Sequence, residues 1–218
     1  MIISFSGLDG VGKTTQINLA VQHLTELGRE TQVIRMYDHV SASAWLRNSL
    51  RGLRKKKRKK SKGPAAPRPA TGYRMDKNRK SGGIVLLRQL VYVADLAVFL
   101  MVKFYHETWR RKVVVCDRHL IDSIVNLSNT NRFAELYAKL FLRILPVPDV
   151  PILLDVDAEV AFERKPEYPL AYNLERREAY LSVFRRLRRG VIVKTTTIPE
   201  TQRQIREQID RAMAGARA

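Results

Sequence analysis

The chain has 218 residues, 45% of them hydrophobic, and its 40 Lys+Arg against 21 Asp+Glu give a net charge of +19. That length and apolar content exclude a wholly disordered chain and suit one domain. The single cysteine, Cys116, excludes a disulfide framework and a cysteine-based zinc site, while so large an excess of cations points to polyanions or anionic membranes.

The first predicted strand, Ile2–Ser6, is short and apolar, and no leader pattern precedes it. It runs into Gly7-Leu8-Asp9-Gly10-Val11-Gly12-Lys13-Thr14-Thr15, a complete G-x-x-x-x-G-K-[ST] pattern. Gly7, Gly10, Val11 and Gly12 form the predicted phosphate cradle, because glycines let backbone N–H groups curl around phosphate oxygens. The helix predicted over Lys13–Leu27 aims its N-terminus at the same place. Lys13 is assigned to the β- and γ-phosphates, the Thr14 hydroxyl to Mg²⁺ and Thr15 to the neighbourhood of the α-phosphate, so ATP and Mg²⁺ are the implied ligands.

A second strand, Gln32–Met36, is followed by the source of the charge. Residues 51–80 hold fourteen of the cations and one acid, Asp76, so this segment carries +13 and the rest of the chain +6. With Pro64, Pro67, Pro69 and several glycines, 52–83 is predicted to be a mobile basic insert. It is either a solvated loop or a patch, spanning 51–80, that meets an anionic membrane or polyanion. Its only aromatic is Tyr73, so specific nucleic-acid readout is not expected.

A helix predicted over Ile84–Trp109 is apolar on most sides. Arg88, Tyr92 and Asp95 share one face, an arrangement that suits a buried helix of a soluble protein better than a bilayer span. The predicted location is cytoplasmic, with the inner face of the membrane as the anionic surface within reach of the insert. Val113–Asp117 is an apolar strand ending in an acid, and Asp117 is placed to hold Mg²⁺. Cys116 inside it reads as a core residue, and His119 as structural.

Further helices are predicted over Ile121–Leu127, Arg132–Leu145, Ala158–Arg164, Leu174–Arg188 and Pro199–Met213, and strands over Ile152–Val156 and Val191–Lys194. Apolar strands alternating with helices predict an α/β fold, a three-layer P-loop architecture with a five-stranded parallel sheet, over 1–218 as a single domain. The segment Ala158–Arg177 carries Arg164, Lys165, Arg176 and Arg177 around Pro166 and Pro169, and within it 164–175 reads as a flexible lid that closes on a phosphate.

Three motifs in order, Phe5–Gln16, Asp117-Arg118-His119 and Leu153-Leu154-Asp155-Val156-Asp157-Ala158-Glu159-Val160-Ala161, resemble those of thymidylate kinases. The resemblance covers most of the chain apart from about 40–83. It implies a nucleoside-monophosphate kinase fold in which Asp9 contacts the acceptor sugar, Arg118 bridges the donor and acceptor phosphates, and Tyr92 stacks on the acceptor base. Gly10 stands where some members carry a catalytic arginine. Members of that kind place the arginine in the lid, which points to Arg164, with Lys165 beside it. The resemblance also implies a homodimer through helices equivalent to 84–102.

The chain departs from the family at the acceptor side. Arg35 is kept after the second strand, but Met36-Tyr37-Asp38-His39 replaces the expected segment, and Leu96 stands where the family has an arginine for the acceptor phosphate. A monophosphate acceptor is an anionic nucleophile that needs cations, whereas a hydroxyl acceptor needs a carboxylate in reach. Asp95 and Asp122 are the added carboxylates. Each has an alternative role, Asp95 pairing with Arg88 and Asp122 capping its helix. The first-ranked expectation is transfer of the ATP γ-phosphate to a dTMP-like small-molecule acceptor. Next come a hydroxyl acceptor (nucleoside, sugar or lipid-linked head group), a nucleic-acid-binding P-loop protein and a P-loop protein without turnover.

Overall fold

The computed structural model describes residues 1–35, 97, 100, 101, 104, 105, 110, 112–128, 143 and 147–215. The insert 52–83, Tyr92, Asp95 and Leu96 lie outside the described residues. The predicted helices over 84–109 and 132–145 meet them only at single positions.

Five strands form one parallel sheet: β1 (Ile2–Ser6), β2 (Thr31–Arg35), β3 (Val113–Asp117), β4 (Val150–Asp155) and β5 (Val191–Lys194). Their order is β2-β3-β1-β4-β5. The central strand β1 is buried at every position, which explains its unbroken apolar run with only two serines. It pairs with β3 in the register Ile3↔Val115 and Phe5↔Asp117, and with β4 as Phe5↔Ile152 and Ser6↔Leu153. The edge strands β2 and β5 each keep only one position fully buried, so their sequences are less apolar.

Helix α1 (Lys13–Glu26) follows β1, α2 (Leu120–Ser128) follows β3, and α3 (Ala158–Arg164) with α4 (Leu170–Arg186) joins β4 to β5. The chain continues through α5 (Ile198–Gly215). Helices α1 and α5 pack together on one side of the sheet, with α2 and α4 together on the other. His23 Nε2 and Asp210 Oδ1, 2.9 Å apart, tie α1 to α5. Phe5, Val115, Ile152, Leu24, Ile121 and Ile209 are among the buried residues that fill the two interfaces. Cys116 lies in this core, and burial pushes its thiol up to about 12.

Most boundaries fall within two residues of the sequence expectation, and two of the differences bear on the site. Strand β4 begins at Val150 and so takes in Pro151, which proline tolerates at the start of a strand. Helix α4 begins at Leu170, four residues ahead of the predicted Leu174, so the lid segment 164–175 is partly helical. The second of the two prolines in that segment frames a helix start. Pro169 occupies the N-cap, where its φ of −56° and ψ of 147° suit the position, and its carbonyl accepts from Tyr172 N at 3.0 Å and Asn173 N at 3.2 Å.

Candidate active site

The C-terminal ends of β1, β3 and β4 converge on one edge of the sheet, and the glycine-rich loop sits at the end of β1. Gly7 and Gly10 are required there by close approach. Gly7 has φ 141°, and a Cβ on it would stand 2.5 Å from the Leu154 carbonyl of β4. Gly10 has φ 91°, and a Cβ would meet the Ala161 carbonyl of α3 at 2.6 Å. The same contact leaves no room for an arginine at position 10, because the loop is packed against α3.

Gly12, at φ 89°, precedes the first turn of α1, on which Thr14 and Thr15 are exposed while Val11 is buried. Lys13 is buried, and its Nζ donates to the Leu8 carbonyl at 2.6 Å and the Gly7 carbonyl at 3.1 Å, with Asp9 Oδ1 at 3.6 Å. Burial and then the Arg118 charge lower the Lys13 pKa to about 8, against a smaller opposing pull from Asp9, Asp122 and Asp117.

Arg118 follows β3 in the left-handed region, at φ 67°, and its N–H donates to the Phe5 carbonyl at 2.9 Å. A left-handed backbone at a non-glycine residue is held where its surroundings fix it, and such positions cluster at functional sites. The turn directs the guanidinium back over the loop, where Nη2 donates to Asp9 Oδ1. Burial raises the Asp9 pKa, but Arg118, Lys13, Lys165 and Arg176 outweigh it and hold the carboxyl below the usual carboxylate range.

Asp122 lies beneath this pair, fully buried. Its Oδ2 accepts from Ser6 Oγ at 2.8 Å and from the His119 N–H at 2.8 Å, and its Oδ1 accepts from Tyr180 OH at 2.7 Å, with Arg118 Nη1 3.8 Å away. The His119 bond makes Asp122 the acidic partner of a cap at the start of α2. Of the two roles open for Asp122 from sequence, the structure therefore shows the capping one.

Asp117 ends β3 in register with Phe5 and with Arg35, and Arg35 is exposed at the end of β2. Arg164 is exposed at the C-terminus of α3, and Lys165 pairs with Glu167 at 3.1 Å.

A cleft of about 320 Å³ opens beside Asp9 and Arg118, closed on its far side by Tyr168, Tyr172, Asn173 and Arg176 from the start of α4. The sequence reading counted Arg176 only among the lid's cations and gave Tyr172 and Tyr180 no role. Arg176 Nη1 donates to Tyr172 OH at 2.9 Å and Nη2 to Tyr180 OH at 3.3 Å. Arg177, on the next position, is bidentate to Asp155 at 2.7 and 2.9 Å and reaches Asp157 at 3.1 Å, fixing α4 to the end of β4. A larger cavity of about 660 Å³ lies at the opposite end of the sheet, near Met1, Asp149 and Arg189, away from Asp9, Lys13 and Arg118.

A parallel sheet in this order, with a strand–loop–helix cradle and buried lysine at the end of β1, defines a P-loop kinase fold. No family model matches the chain. A probable thymidylate kinase of Methanothermobacter thermautotrophicus is 31% identical over 164 residues, covering 75% of this chain and 69% of that protein. The chain belongs to the thymidylate kinase-like family.

Proposed function

We propose that the protein transfers the γ-phosphate of ATP to a nucleoside monophosphate, with dTMP the first acceptor to test. The observation that carries this is the strained Arg118 turn, which sets a guanidinium on Asp9 and within the same charge cluster as Lys13. Transfer forms a bond from an acceptor phosphate oxygen to the γ-phosphorus and breaks the bond to the β-phosphate oxygen. An anionic nucleophile of this kind needs no base, only cations that align it and absorb charge.

Lys13 serves the β- and γ-phosphates, with Gly7, Gly10, Val11 and Gly12 offering backbone N–H groups. The open space over Gly12 and the close packing behind Gly7 and Gly10 fit a phosphate chain. Thr14 and Asp117 are the residues that would hold Mg²⁺, which supplies charge neutralisation between the phosphates. Asp9 orients the acceptor sugar, Arg118 spans the two phosphate groups, Thr15 lies by the α-phosphate, and Arg164 or Lys165 closes from the lid. Arg35 and Tyr92 are assigned to the acceptor.

A hydroxyl acceptor is the second possibility and would need a carboxylate free to take a proton. Asp122 disfavours it, being buried and already accepting from Ser6, Tyr180 and the His119 backbone. Leu100 and Met101 are exposed apolar residues, which supports pairing of two copies through 84–102. Among the described residues, no helix is long and apolar enough to cross a membrane. The +13 segment supports contact with an anionic surface.

The test is ATP turnover with dTMP, other nucleoside monophosphates, thymidine and simple hydroxyl acceptors. Turnover with dTMP or a close relative is expected. Inert nucleotides beside an active hydroxyl acceptor overturn the assignment.

A further inference from the structure

We propose that Arg176 is a substrate-binding residue, and that it and Arg118, whose guanidinium groups converge on the Tyr180 hydroxyl at 3.3 and 3.5 Å, together grip the anionic phosphate of the acceptor in the 320 Å³ cleft. The proposal rests on the kinase assignment above and adds to it a residue from α4.

The cleft carries two guanidinium groups, Arg118 and Arg176, and one carboxylate, Asp9. That carboxylate already faces Arg118 and Lys13. With the buried Asp122 beneath Arg118 counted as well, Lys13, Arg118 and Arg176 are three cations against two carboxylates, so the site stays net positive, as an anion site requires. Its volume is that of a small-molecule site.

Arg176 is fixed in direction before any ligand arrives. Its two terminal nitrogens donate to Tyr172 and Tyr180, and its guanidinium carbon lies 5.7 and 5.3 Å from the centres of those rings. Tyr180 is in turn fixed by its bond to Asp122. Both phenols are neutral, so these two contacts aim the cation without themselves neutralising it. A rigid planar fork suits phosphate oxygens better than a flexible ammonium does.

The spacing that builds this device is readable in the chain. Tyr172, Arg176 and Tyr180 stand four apart on α4 and so share one face. A purely structural role would make Arg176 a brace between the two tyrosines. The two roles separate on one measurement, the preference of the site for an acceptor with a phosphate over the same nucleoside without one.

The experiment uses the full chain, titrated calorimetrically with dTMP and with thymidine, alongside the KM for ATP. In Arg176→Gln, dTMP affinity and its KM are expected to worsen by about 10- to 100-fold, the range for losing charged hydrogen bonds. Thymidine binding and the KM for ATP stay near wild type. Arg176→Lys keeps the charge and loses the fork, and a smaller loss of about three- to tenfold is expected. If Arg176→Gln no longer binds ATP and so fails to fold, the lysine variant carries the same comparison. An unchanged ratio of dTMP to thymidine affinity, in a chain whose wild type turns over dTMP, overturns this inference alone. A wild type that turns over no nucleoside monophosphate overturns the acceptor assignment and this inference with it.

Discussion

Tyr180 on α4 donates its phenolic proton to Asp122 on α2 at 2.7 Å, with both side chains buried beneath Arg118. Burial, and after it the Asp122 charge, pushes the Tyr180 pKa well above its usual value, so the phenol remains a donor throughout the working range of pH. The bond joins the helix that follows the Arg118 turn to the helix that carries Arg176. Tyr180→Phe leaves one buried carboxylate oxygen short of a donor, and a loss of about 1–3 kcal/mol is expected in denaturant unfolding. Asp122→Ala strands Ser6, Tyr180 and the His119 N–H at once and should cost more. If Tyr180→Phe is as stable as wild type, the Asp122 network is not what ties α2 to α4.

Lys13 gives a pH dependence of known sign. Its ammonium is lowered to about 8 from an ordinary 10.5. Between those values the unfolded chain binds a proton that the folded chain has released, so stability rises with pH across that window and the penalty is fully present below about 8. Lys13→Met should remove this rise, and unfolding of the two proteins between pH 7.5 and 10 measures it. Activity runs the opposite way. The kcat/KM for ATP should fall above about pH 8 as the free enzyme loses the lysine charge. Lys13→Ala should lower kcat by about a thousandfold or more, since its charge acts mainly in the transition state.

Apolar runs and turn residues made the sheet readable from the chain. All five strands have both ends within two residues of expectation, and Ala158–Arg164 appears as a helix with those bounds. The phosphate loop was readable because its chemistry is local, with cradle, lysine and threonine all within nine residues. The α4 wall of the cleft was not readable in the same way. The helix expected from Leu174, behind a flexible lid around Pro166 and Pro169, leaves Tyr172 off the Tyr172–Arg176–Tyr180 face that the helix from Leu170 completes. Asp155 belongs to a motif that was recognised, yet its bidentate hold on Arg177 depends on a strand end and a helix meeting in space. Asp122 likewise shows its function only once Ser6 and Tyr180 are placed around it.

The basic insert and the catalytic fold separate in charge, since 51–80 carries +13 of the +19. Deleting 53–80 should leave ATP turnover within about twofold of wild type while removing binding to vesicles containing anionic phospholipid. In the intact chain that binding should weaken steeply as salt rises, because exposed charges are screened beyond roughly 8 Å at physiological ionic strength. Co-sedimentation with anionic and neutral vesicles at two salt concentrations checks it. Loss of turnover with unchanged vesicle binding would instead make the insert part of the active site.

Gly10 and Gly12 form a matched pair for testing how tightly the phosphate loop is held. Both have φ near 90°, but a Cβ at 10 would meet the Ala161 carbonyl at 2.6 Å, whereas a Cβ at 12 meets no atom within 4 Å. Gly12→Ala therefore incurs only the backbone strain, about 1–3 kcal/mol. Gly10→Ala incurs the same strain and must also push the loop away from α3, the helix that leads into the lid. Its unfolding free energy should fall further than that of Gly12→Ala by about 1–3 kcal/mol, the range for overpacking a fitted contact. The KM for ATP should rise more in Gly10→Ala, since displacing the loop moves the N–H groups that face the phosphates. Equal stability losses in the two variants would mean that α3 yields freely, and that the loop's shape is set by its own glycines alone.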